Sequence, residues 1–386
     1  MDYEEVVCTC ALNRIFGFSP ATGSTLINGL GSARNVFALE SSDKNELFGP
    51  FSKYALAIND SALEWAAAEI SRTAAIGAEF VCKGSMEYPA LLAECEDAPL
   101  GLYIMSPTPP SELFRKTVSI VGTRDISPYG KEWCEKIVRY LSATEESPSI
   151  VSGLAFGTDI TAHTAALDCG TGTIAIMATG IDSIYPRKHI GIARRMAERE
   201  QCALITDYPF GSEPKKINFV RRNRIIAGMS DTTILIESKI RGGGMITARQ
   251  AFSYNRNVLA IPGRINDIRS QGCNELIGRN EAEAVTSLES LAKTLNLTAA
   301  QQLPIKDKLP EKLGKRAEKW GLDKIQLENA SKILLTIKNN TGITLTELSE
   351  ACKLSYKDVA ELTGILENDG LIVTDLLQRC SINSKY

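Results

Sequence analysis

The chain has 386 residues, 44% apolar and 23% charged, with a formal net charge of −3. That length allows two or three domains around a sizeable core, and no apolar run approaches the roughly 18 residues of a membrane span. Two histidines, His163 and His189, and ten scattered cysteines without a CxxC pair argue against structural zinc, a His-rich metal site and most Ser-His-Asp triads.

The start, MDYEEVVC, is acidic and lacks the basic and apolar stretches of a signal peptide, so a cytoplasmic protein is expected. Cys8 and Cys10 read as buried free thiols. Residues 1–105 read as a helical module with the lead-in to a core. Within them, residues 12–39 suggest two short helices around the turns Gly17-Phe18-Ser19-Pro20 and Gly29-Leu30-Gly31. That pattern fits a helix-hairpin-helix-like or sterile-alpha-motif-like unit, or an ordinary helical cap. Residues 17–25 only superficially suggest a P-loop, because the spacing is wrong and the lysine is missing.

Residues 106–297 change rhythm. Short runs rich in Ile, Val or Thr at 117–121, 149–152, 173–178, 203–206, 232–237 and 257–261 alternate with amphipathic helical stretches. This predicts an α/β class, with a Rossmann-like doubly wound, mostly parallel sheet. Ligands of such sheets sit beyond the C-terminal ends of the strands, so the loops there are the places to read for chemistry.

The first such loop is Gly122-Thr123-Arg124-Asp125, where glycine lets backbone approach a ligand and Arg124 offers a fork-shaped donor. The second, Ser152-Gly153-Leu154-Ala155-Phe156-Gly157-Thr158-Asp159, has the strand–Gly loop–helix form that cradles phosphate, or that merely packs tightly. The third carries Gly180-Ile181-Asp182 and Tyr185-Pro186-Arg187-Lys188. The densest signal follows the fourth strand: Lys215, Lys216, Arg221, Arg222 and Arg224, with Phe219 and Asn223 interleaved and no acid. Clustered cations with an aromatic suit an unpaired polynucleotide, whose bases can stack; the alternative is a solvated basic helix face. After the fifth strand, Arg241-Gly242-Gly243-Gly244 leads into a helix bearing Thr247, and three glycines fit close approach of backbone to a ligand or a neighbouring chain. Asp125, Asp159 and Asp182 read as caps or loop ties. Without a paired nucleophile and base, this edge is expected to bind phosphate and catalyse nothing, with no cofactor and no metal. The net charge of −3 counts mildly against nucleic acid, but local patches act within about 10 Å and can override it.

Residues 298–322 read as a linker. Residues 323–386 suggest helices at 325–337, 345–352 and 356–367, then a tight turn and a strand at 371–373, the pattern of a winged helix. Six acids against two lysines in 341–370 suit an interaction or regulatory module better than a reader of duplex DNA.

The ordered motifs GTR, SGLAFGTDITAHTAAL, GID with YP, FVRRNRIIAGMS, RGGGMITARQA, VLAIPG and QGCNELI resemble the DNA processing protein A (DprA/Smf) family over essentially the whole central region. The resemblance implies a non-catalytic protein that binds single-stranded DNA, dimerises through its core and helps load RecA recombinase in natural transformation. It implies DNA contacts from Arg124, Ser152, Gly153, Arg187, Lys216, Arg222, Asn223 and Arg224, with Gly122 and Thr123 shaping their loop and Asn223 and Arg224 partly holding loops; the loop reading adds Phe219, Gly243 and Thr247 to the DNA-binding set. It places Leu276 and Ile277 on the dimer surface. His189, Val220 and Gly243 depart from the family's usual Asn, Pro and Ser. Two other readings compete. A nucleotide phosphoribohydrolase resembles residues 237–247, but Arg249 and Gln250 stand where its glutamate would be. A ligand-sensing winged-helix regulator would need a less acidic C-terminal module.

Overall fold

The computed structural model describes residues 1–49, 51–298, 320–340, 342–375 and 378–383. It divides into two compact units, Met1–Gln301 and Gln302–Tyr386. Most of the expected linker, residues 299–319, lies outside the described residues.

The first unit opens with helices α1 (Tyr3–Ile15), α2 (Pro20–Leu30), α3 (Ala33–Ala38), α4 (Ser41–Phe48), α5 (Lys53–Ala57) and α6 (Asp60–Ala75). Both expected turns are present, between α1 and α2 and between α2 and α3. Leu12, Phe16, Val36 and Ile58 close a small core there. Cys8 and Cys10 are buried and free.

The helical reading of residues 1–105 fails after α6. Strand β1 (Ala78–Cys82), the short helix α7 (Ala90–Ala93) and strand β2 (Gly101–Met105) follow. The two strands pair antiparallel, Ala78 opposite Met105, and β2 adds antiparallel to the main sheet. Only a one-turn helix separates them, so they lack the strand–long helix–strand spacing that marks the parallel strands. Beyond the one-turn α8 (Pro110–Leu113), the remaining order is β3 (Thr117–Val121), α9 (Pro128–Ser142), β4 (Ser149–Ser152), α10 (Thr158–Cys169), β5 (Thr173–Ile176), α11 (Ile190–Ala197), β6 (Cys202–Thr206), α12 (Lys216–Gly228), β7 (Thr232–Leu235), α13 (Gly243–Ser253), β8 (Asn257–Ala260), α14 (Gln271–Gly278), β9 (Glu283–Ala284) and α15 (Leu288–Thr294).

The fold is α/β, a doubly wound sheet of nine strands in the order β1-β2-β6-β5-β4-β3-β7-β8-β9, parallel from β6 to β9. Strands β3 to β7 are buried along their whole length. Helices cover both faces, which is why their sequences are continuous rather than alternating. On one face Ile120, Ile150 and Ile234 meet Ile137, Leu141 and Ala162 of α9 and α10. On the other, Val121, Val151 and Leu235 meet Ile225, Ile226 and Met245 of α12 and α13. Leu276 of α14 belongs to this second core. The chain winds from β3 outward to β6, then returns to β7 on the other side of β3. The strand order therefore reverses between β3 and β7, and their C-terminal ends splay open a crevice.

The second unit holds helices Lys324–Asn339, Leu345–Cys352 and Tyr356–Asn368, with strands β10 (Ile343–Thr344), β11 (Ile372–Thr374) and β12 (Arg379–Ile382) in the antiparallel order β10-β12-β11. Ile333, Leu348, Leu362 and Leu371 form its own core. Among the described residues, no helix is long and apolar enough to cross a membrane.

Candidate nucleic-acid interface

A cleft of about 660 Å3 lies over the β3–β7 crevice. Its floor is the loop after β3, Gly122-Thr123-Arg124, with Ala155 from the β4–α10 connection and Asp159 from the first turn of α10. One wall is α12, through Lys216, Phe219, Val220, Arg222 and Asn223. The other is the β7–α13 turn, through Ser238, Lys239 and Gly242, with Gly243, Gly244, Ile246 and Thr247 from the start of α13.

Close packing explains several glycines. A Cβ at Gly122 would come within 2.4 Å of Thr158 Oγ1, and one at Gly244 within 3.0 Å of the Gly122 Cα. These two turns can abut only because both are bare backbone. Gly243 is different. Nothing lies within 4 Å of where its Cβ would be, so it borders open space on the cleft. Gly157 has φ +74, a left-handed geometry that favours glycine. It starts α10 beneath the β3 loop, where the Thr158 N–H and hydroxyl both donate to Thr123 O.

Helices α12 and α13 begin at the cleft without a side-chain cap. Asn218 N–H and Met245 N–H each donate to the carbonyl three residues back, and the other first-turn N–H groups with the helix dipoles favour an anion. Helix α9 instead has its start filled. Ser127 caps it, and buried Glu237 accepts from the Ser127 N–H at 2.9 Å and its hydroxyl at 2.5 Å. Glu237 thus ties the end of β7 to α9 and does not face the cleft. Asp125 is held by Arg269 at 2.7 Å, and Asp182 accepts from the Gly211 N–H, so both act as loop ties.

The exposed cations at the cleft are Arg124, Lys216 and Lys239. Arg124 lies 5.2 Å from the centroid of the Phe219 ring, and Tyr185, 44% exposed, packs on Phe219 from 5.5 Å. Among the described residues the single carboxylate lining the cleft is Asp159. It is buried and accepts from the Ala155 N–H. Burial raises its pKa, against the pull of the nearby Arg222 charge.

Of the arginines of α12 only Arg222 borders the cleft, and its guanidinium is spent beneath it. Arg222 is only 3% exposed and threads under the strand ends, donating to Gly153 O at 2.6 Å, to Ile176 O and to Asn223 Oδ1. Burial pushes its pKa down to about 10. Arg224 is buried against Asp207 at 2.6 Å and donates to Asp97 O. Arg221 turns to the helical module and donates to Gly17 O. Residues spaced one to three apart on a helix point in different directions, and here each direction already has an acceptor.

Other expected contact residues are placed away from the open face of the cleft. Ser152 is fully buried and donates to Ile120 O, so its hydroxyl is spent inside the sheet. Gly153 is buried because the Arg222 guanidinium occupies the place of a Cβ, 2.3 Å from where it would sit. Arg187 is exposed in a 3-10 turn, Arg187–His189, and does not line the cleft. Leu276 is 1% exposed and faces its own chain's core, which leaves Ile277 alone half-buried at that surface. Lys239 and Tyr185 also line the cleft, which the sequence reading did not include. Lys239 could have been picked out as a cation just past a strand end, and Tyr185 as the aromatic of the YP pair.

His163 supports this edge from below. Its Nε2 accepts from the Leu154 N–H, and because the Thr173 hydroxyl donates to Ile150 O, Nδ1–H must donate to Thr173 Oγ1. Burial, with Arg222 adding to it, lowers its pKa from 6.5 to about 3. An unfolded chain protonates this ring near its ordinary value while the native ring stays neutral. Its contribution is thus full above pH 6.5 and lost as the pH falls toward about 3. Asp159, with its raised pKa, acts in the opposite sense in the carboxylate range. His163→Gln is expected to flatten the fall in Tm between about pH 7 and about pH 4. An unchanged slope would place the acid sensitivity elsewhere.

Comparison with known proteins adds to this geometry. Residues 79–296 match the family model described as DNA recombination-mediator protein A. Protein Smf of Synechocystis is 35% identical over 219 residues, which is 56% of this chain and 54% of that protein. DNA processing protein DprA of Streptococcus pneumoniae is 40% identical over 201 residues, 52% of this chain and 68% of that one. The chain thus spans about half the length of one relative and two thirds of the other. The X-ray structure of DNA processing protein A from Streptococcus pneumoniae superposes with a TM-score of 0.56 at 29% identity, covering 67% of this chain and 92% of that one.

Proposed function

The chain belongs to the DNA recombination-mediator protein A family, and from that membership we propose that its cleft holds single-stranded DNA without transforming it. The observation that carries this reading is the make-up of the cleft. Arg124, Lys216 and Lys239 line it together with the Phe219 ring, and its carboxylate is buried near Arg222. An unpaired strand offers phosphates and ring faces on one path, whereas a duplex hides its ring faces in the stack.

In this reading the bound strand is handed to RecA recombinase during natural transformation, in the cytoplasm, by a homodimer. Residues 323–386 act as a winged-helix-like module for another partner, since the acids of 341–370 repel phosphate.

The test is fluorescence anisotropy with single- and double-stranded oligonucleotides of one sequence. Preference for the single strand is expected. Its log affinity should fall linearly with log salt, with a slope of about −0.7 per phosphate neutralised. Equal affinity for duplex, or binding indifferent to salt, would refute the reading. Faster growth of RecA filaments on strands carrying the protein tests the hand-over.

A further inference from the structure

The cleft is continuous with a second surface around α12. Successive residues of a helix are about 100° apart. With Phe219 as origin, Asn223 and Lys216 lie about 40° and 60° round, Val220 about 100°, Ile217 about 160° and Arg221 about 200°. Lys216, Ile217 and Val220 are exposed. The solvent-facing arc of α12 therefore leads from the cleft to Arg221.

There the guanidinium of Arg221 crosses to the turn between α1 and α2 and lies 3.9 Å from the centroid of the Phe18 ring. The same side chain donates to Gly17 O, which fixes it under the turn. Phe18 nonetheless remains 70% exposed. Four residues earlier, exposed Arg14 lies 4.2 Å over the Trp65 ring. Two carboxylates act on Arg221 without pairing with it: Asp207 pairs with Arg224, and Asp97 accepts a hydrogen bond from the Tyr254 hydroxyl. Neither Arg14 nor Arg221 has an ion pair among the described residues.

We propose that Phe18, backed by Arg221, is a second stacking platform for a nucleobase, on a strand that leaves the cleft across the outer face of α12. A ring held on a guanidinium, with the exposed Arg14, unpaired among the described residues, four residues away along the chain, matches a base followed by a phosphate. The helical module then lengthens the DNA track. This inference rests on the cleft holding a single strand, so its test must separate the two.

The test uses the full chain and oligothymidylates of about 4 and about 16 nucleotides, a span covering what one small binding surface engages. Phe18→Ala is expected to weaken binding of the longer strand about tenfold and to leave the shorter unchanged. Phe18→Trp restores the parental affinity. Lys216→Ala weakens both strands. If Phe18→Ala binds the longer strand like the parent while Lys216→Ala weakens both, the platform is refuted and the cleft stands. Equal loss on both strands in Phe18→Ala would also overturn a separate platform. If Lys216→Ala changes neither, the cleft reading falls and the platform with it. Phe18 has too little buried surface for its loss to unfold the module.

Discussion

Replacing Arg222 by methionine is expected to lower the stability of the first unit by about 2–5 kcal/mol, read as a fall in the urea midpoint at constant slope. The reason is what the side chain leaves behind. Its guanidinium satisfies Gly153 O and Ile176 O under the sheet edge and supplies the charge opposite buried Asp159. Methionine fills similar length but donates nothing, so two buried acceptors lose a partner and a buried carboxyl loses its counter-charge. Arg222→Lys keeps the charge without the fork and should fall between. DNA binding should fail in Arg222→Met as a consequence of the disordered edge. If instead the variant is as stable as the parent and only DNA binding is lost, Arg222 is a ligand contact and its bracing role is wrong. Gly153→Ala gives an independent check, because its Cβ would collide with the same guanidinium.

The second large effect is expected where stability should not move. Arg124 and Lys216 are exposed and form no ion pair among the described residues, so the double variant Arg124→Ala, Lys216→Ala should melt like the parent. Its affinity for single-stranded DNA should drop at least about a hundredfold, as expected for losing two charge-assisted contacts of about 1.5–3 kcal/mol each. The salt slope should shrink by about 1.4, two phosphate contacts at about 0.7 each. Arg124 is expected to cost more than Lys216, because it also lies against the Phe219 ring. A double variant with the parental affinity and salt slope would remove the cleft from consideration.

Arg222 and Arg124 also mark how far the residues could be read without the fold. Both are arginines within the family's motifs, and by composition both suit phosphate. One is buried beneath the strand ends and the other stands in solvent, a difference made by the 2.6 Å approach of Gly153 O to Arg222 Nη1. The cation cluster at 215–224 read as one binding signal, but Arg221, Arg222 and Arg224 brace three different neighbours, and Lys216 with Phe219 remains on the cleft. The strands were more legible. Runs such as Thr117–Val121 and Thr232–Leu235 are buried throughout and carry no charge because both faces of a parallel sheet are covered. β1 and β2 escaped notice because no long crossover helix separates them.

The sequence by itself determined the parallel strands, the helices between them and the glycine turns at their C-terminal ends, since hydrophobic spacing and backbone freedom are local properties. It also determined the family, through motifs in a fixed order. Only the tertiary structure decided which cations are solvent-facing, that Leu276 is turned into its own core, and that Lys239 and Tyr185 join the cleft. Those outcomes depend on where distant carbonyls, carboxylates and rings come to lie. The free energy of burying a charge or an apolar side chain is set by such neighbours rather than by position along the chain.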